Sequence, residues 1–122
     1  ELLKEKVTGN PGFDFHTESS TNYISFGEAK YSGKVNPHGK ALSQIVSFIE
    51  LKKDMAELAD LQHFVTSSAI ENSLKGVKAY AAAFSINGND PHEIIKNALN
   101  SKFIDDLLKY AELYIVGVEV DA

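Results

Sequence analysis

Residues 13–18, FDFHTE, and 23–31, YISFGEAKY, decide the fold of this chain. Both runs are rich in aromatic residues, and the polar stretch Ser19-Ser20-Thr21-Asn22 separates them. Two such runs joined by a short polar connection predict a β-hairpin. Gly33, Asn36, Pro37 and Gly39 then mark a loop. From His38 to Leu61 the period becomes helical, with Leu42, Ile45, Val46, Ile49, Met55 and Leu58 falling largely at threes and fours. A bend or break is expected near Asp60, followed by a second helix from His63 to Leu74 that Gly76 stops.

Outward from this centre, VKAYAAAFSI (77–86) predicts a strand ended by Asn87-Gly88-Asn89. Its apolar run lacks alternation, which suits a sheet covered on both faces. Asp90 and Pro91 read as an N-cap and first helical residue. Ile94, Ile95, Ala98, Leu99, Ile104, Leu107 and Leu108 carry the stripe of one helix, or of two split near Asn100-Ser101. LYIVGVEV (113–120) is a closing strand. At the other end, ELLKEKV (1–7) reads as the last turns of a helix ended by Gly9, Asn10 and Pro11. It opens without Met, which predicts further residues upstream of a fragment. The whole predicts one α/β domain over residues 1–122, a mixed β-sheet flanked by helices.

Composition narrows the chemistry. There is no cysteine, which excludes disulfides, zinc-thiolate sites and cysteine nucleophiles, and fits a reducing, cytoplasmic setting. No apolar run approaches the roughly 20 residues that span a bilayer. The formal charge is −5 and all twelve basic residues are Lys. That argues against broad polyanion binding and against bidentate reading of guanine by Arg. Ser25, Ser32 and Ser43 lack a recognisable base and orienting acid, and no phosphate-binding glycine loop is present.

One constellation stands out. Residues two apart on a strand share a face, so Glu28 and Lys30 point the same way, and Asp14 on the preceding strand can join them. Ionised groups inside a sheet are costly unless paired or metal-bound. Two neighbouring carboxylates repel, and Mg²⁺ or Mn²⁺ relieves that cost. Lys30 would then orient a metal-bound water or stabilise developing charge.

These residues carry a resemblance to the PD-(D/E)xK nuclease superfamily, with its restriction-endonuclease-like core. Gly12-Phe13-Asp14 is similar to the family's first motif and Glu28-Ala29-Lys30 to its second. The resemblance implies metal-dependent hydrolysis of DNA phosphodiester bonds, with Asp14 and Glu28 as ligands and Lys30 beside the water. It makes Gln44, with Phe48 four residues on, a helix-borne site residue. Glu5 is the choice for the further acidic ligand that many members draw from their first helix. Lys34, Lys40 and His38 bracket the site as phosphate contacts. GEAKYSG (27–33) with HGKALSQI (38–45) also looks like nuclease domains of phage-defence proteins, the Hachiman type included. DNA is the implied partner, together with a dimer or further domains in a longer protein.

Other readings stand beside this one. The same core could serve as an inactive interaction or nucleic-acid-recognition module, which the acid balance favours. A phosphoesterase for small nucleotides would instead need a closed pocket. His16 reads as a half-exposed strand residue, and His63 and His92 as structural or exposed.

Overall fold

The computed structural model describes residues 12–120 and, as backbone, residues 2–5. The hairpin forms as predicted: β2 (Phe15–Glu18) pairs antiparallel with β3 (Ile24–Lys30). Its turn is closed by Ser19, whose backbone N–H donates to the Tyr23 carbonyl at 2.9 Å and whose hydroxyl accepts from Tyr23 N–H at 3.1 Å. Asn22 takes the left-handed conformation there, at φ 64°.

Residues 2–5 correct the first expectation. They form β1 (Leu2–Glu5), which pairs antiparallel with β2, rather than the end of a helix. LLKE suits either state locally, and pairing with β2 decides it. The expected stop at residues 9–11 lies outside the described residues.

After β3 come α1 (His38–Glu50), α2 (Lys53–Leu61) and α3 (Ser67–Leu74), then β4 (Ala79–Ile86). The helical run ends at Leu61, beside the break expected near Asp60, and it is also broken at Lys52, at φ 57°. Gly76 ends the α3 segment at φ 85°, as expected. Next are α4 (Pro91–Leu99), α5 (Ile104–Leu107) and β5 (Glu112–Glu119). The Asp90 carboxylate accepts from Glu93 N–H at 3.1 Å, capping α4 as its sequence predicts.

The sheet order is β1-β2-β3-β4-β5, with β3, β4 and β5 parallel. Both helical crossovers step the same way across the sheet, so crossovers of one hand lay their helices on one face. The packing agrees. Ile24, Phe26, Tyr80, Ala82, Phe84, Ile86, Leu113 and Ile115 meet the helices, and all belong to one side of the register. Helices flank the sheet, yet among the described residues they cover a single face. The expectation of cover on both faces is corrected accordingly.

The core holds a buried charge pair. Asp54, in the first turn of α2, is 2% exposed; its Oδ2 pairs with Lys78 Nζ and accepts from Tyr80 O–H at 3.1 Å. This ties α2 to the start of β4. Removing one partner strands the other charge away from water, which costs about 3–5 kcal/mol. Lys78→Ala is therefore expected to lose about that much in urea unfolding, and Lys78→Met/Asp54→Leu to recover most of it. A single mutant as stable as the parent would contradict this role.

Candidate functional site

Strand pairing brings the predicted cluster together. Phe15 stands opposite Gly27, and Asp14 N–H donates to the Gly27 carbonyl at 2.8 Å. Asp14 Oδ2 then accepts from the backbone N–H of Ala29 at 2.9 Å, between Glu28 and Lys30. Glu28 is 1% exposed, and its Oε2 lies 3.0 Å from Lys30 Nζ. The lysine side chain is partly in water, so the ammonium is bound at one side and hydrated at the other.

The two carboxylates are therefore engaged with an amide and an ammonium. Among the described residues, no three His, Asp or Glu side chains converge so that they could hold a metal ion. This overturns the expectation of Mg²⁺ or Mn²⁺ held by Asp14, Glu28 and Glu5, and with it metal-dependent DNA hydrolysis and the nuclease and hydrolase assignments built upon it. Glu5 stands opposite Phe15 in the register, and its side chain lies outside the described residues.

The remaining predicted residues are dispersed around the carboxyl ends of β3 and β4. Lys34 and Lys40 are exposed, on the β3–α1 loop and the first turn of α1. His38 packs its ring 5.7 Å from that of Phe84, with Nδ1 buried and unpartnered. Gln44 is half-buried on α1, and Phe48 packs against Phe13 with ring centroids 5.2 Å apart. Asn87 fastens the loop: its side-chain amide donates to the Ser32 and Val35 carbonyls, both at 2.8 Å, and its N–H to Asn36 Oδ1 at 2.6 Å. No family model, curated protein or solved structure matches the chain.

His16 corrects another expectation. It is 3% exposed, with Nε2 2.6 Å from Glu57 Oε1, and Glu57 Oε2 also accepts from Phe13 N–H at 3.2 Å. It therefore fastens β2 to α2. His63 and His92 are exposed, as expected.

A second feature went unread in the sequence: the helix-free face of the sheet. Its central strands carry Gly27, Ala29, Ala81 and Ala83; the Phe15 ring from β2 lies over Gly27, and Tyr114 and Val116 stand on β5. Tyr114, Val116 and Val118 are 42%, 49% and 55% exposed. Near the end of β3 a hollow of about 250 Å³ is lined by Ala29, Tyr31, Ala83, Ser85 and Val118 among others. The run of three alanines in YAAAF (80–84) was the available signal.

Burial, reinforced by the Asp54 carboxylate, pushes the Tyr80 hydroxyl far above the usual phenol range, and Tyr110 is raised for the same reasons. A phenol raised in this way favours the folded chain up to about pH 10 and destabilises it above, where unfolded tyrosines ionise. Absorbance titration is expected to show Tyr80 ionising only as the chain unfolds; early ionisation of all five tyrosines would contradict this.

Asp14→Ala is expected to cost about 1 kcal/mol and to speed amide exchange at Ala29, while Asp14→Asn retains an acceptor and most of the protection. Unchanged exchange in both variants would remove the assigned bond.

Proposed function

We propose that this domain is a non-catalytic interaction module on a restriction-endonuclease-like core, docking a protein partner through the helix-free face of its sheet. The element order of hairpin, helix, strand, helix, strand supports the core assignment. Asp14, Glu28 and Lys30 serve in this reading to brace the β2–β3 pair.

The observation that carries the proposal is the exposed strip Tyr114, Val116 and Val118 beside an alanine-floored sheet face. All-parallel sheets are almost always covered on both faces, and the β3-β4-β5 half of this mixed sheet is parallel. A contiguous apolar surface on such a sheet marks an interaction site, whereas single exposed apolar residues do not. A protein partner fits better than a nucleic acid because the chain carries −5 and no Arg.

An apolar fluorescent dye is expected to bind the folded chain, and Val116→Lys/Val118→Lys to abolish that binding. These exposed substitutions should change stability by no more than about 0.5 kcal/mol each. No dye binding by the folded parent would show the face to be covered and sink the reading. DNA incubated with the chain and Mg²⁺ is expected to stay intact; cleavage lost on Lys30→Ala would overturn the non-catalytic assignment.

A further inference from the structure

β5 stands at one end of the sheet, with β4 on one side and no described strand on the other. Val120 N–H donates to the Ile86 carbonyl at 3.1 Å, and in a parallel ladder the groups facing the neighbour recur at every second residue. The N–H and C=O of Leu113, Ile115, Gly117 and Glu119 therefore point away from β4. Among the described residues no backbone hydrogen bond joins them to another element. Such a row is a template for a further strand, and proteins blunt it with short strands, lysine, proline or a bulge.

The two ends of the sheet differ in this respect. β1 is four residues long, carries Lys4 and Glu5, and shifts its register with β2 between Leu2 and Lys4. β5 is eight residues long, contains neither lysine nor proline, and pairs with β4 in unbroken register. Its sequence ELYIVGVE has acids near its ends and apolar, largely β-branched or aromatic residues between them. One edge is blunted and the other is left open.

We infer that β5 pairs antiparallel with β5 of a second copy, about a two-fold axis at Val116, to give one continuous sheet. This goes beyond the interaction-module reading, because it uses the edge of the strand and not the face of the sheet. An axis perpendicular to the sheet keeps the helices of both copies on one side and sets residues of like face opposite each other. Centred on Val116, it lets Ile115 of each copy exchange N–H···O bonds with Gly117 of the other, and Leu113 with Glu119. Between these, Tyr114 meets Val118 and Val116 meets its own counterpart, aromatic and β-branched pairs of the kind that stabilise sheets. The bulk of Ile115 lies opposite a glycine. Glu112 faces Val120 and Glu119 faces Leu113, so the acids do not oppose one another. The strand is thus complementary to itself, which favours a second copy over an unrelated strand. Only the blunted β1 edges remain outside, so assembly stops at the dimer.

The test uses the 122-residue chain at about 1 μM to 1 mM. Sedimentation equilibrium is expected to show a monomer passing to a dimer and to nothing larger. Over the same range amide exchange should slow at Leu113, Ile115, Gly117 and Glu119, whose N–H groups point outward. Val116→Lys and Val116→Glu, at an exposed position, should each weaken dimerisation about three- to tenfold; mixing the two should restore it, because the substituted positions meet. Val116→Cys should form a disulfide-linked dimer in air, the chain having no other cysteine, and Val118→Cys should not. A chain that stays monomeric at about 1 mM, fibres in place of a closed dimer, or a dimer whose outward amides exchange as fast as the monomer's would overturn the inference. So would equal cross-linking of the two cysteine variants. A monomer that still binds the apolar dye would refute the pairing and leave the interaction module standing.

Discussion

Strand β4 sends Tyr80, Ala82 and Phe84 to the helices and Ala81 and Ala83 to the opposite face, and the rest of the structure is arranged around that division. Tyr80 packs on Phe13, Phe26 and Tyr110 and donates to the buried Asp54, so one residue joins the aromatic core to the charge pair beneath α2. The crossovers on either side of β4 both deliver their helices to the Tyr80 side. A core built on one face leaves small side chains at the centre of the other.

Much of this could be read from local pattern. The aromatic runs around Ser19–Asn22, the stripe Leu42-Ile45-Ile49 and the cap at Asp90 are all set by residues within a few positions of one another. What could not be read depends on distant partners. LLKE becomes a strand because β2 offers it an edge. The break at Lys52 occurs without glycine or proline, where α2 must restart with Asp54 aimed at Lys78, a residue 24 positions away. The cluster of Asp14, Glu28 and Lys30 was legible from strand parity, since it needs only a hairpin and a two-residue period. That Asp14 takes the Ala29 amide was not, because the chain bends at Asp14 just before β2 begins.

This bend also explains why a motif read as metal-binding need not bind metal. A buried carboxylate must be compensated, and a backbone N–H or an ammonium does this as well as a cation in terms of local charge. Glu28 beside Lys30 and Asp14 on Ala29 N–H are compensated within the hairpin itself. Short acid and lysine spacings therefore report that charges are paired on a strand. They do not report by what.

The alanines of β4 bear on function through their local cost. Alanine is a poor strand former, and β4 carries four alanines among its eight residues. Ala82 has a packing reason, since it lies in the core beneath the helices. Ala81 is 8% exposed and already covered, whereas Ala83 is only half-buried on the helix-free side, where threonine or valine would fit the pleat better. Gly27 on β3 has a packing reason, since the Phe15 ring lies where its Cβ would stand. Sites where local preference is set aside without compensation inside the fold are where function is to be sought. Here such positions are Ala29 and Ala83, which lie beside the exposed Tyr114, Val116 and Val118.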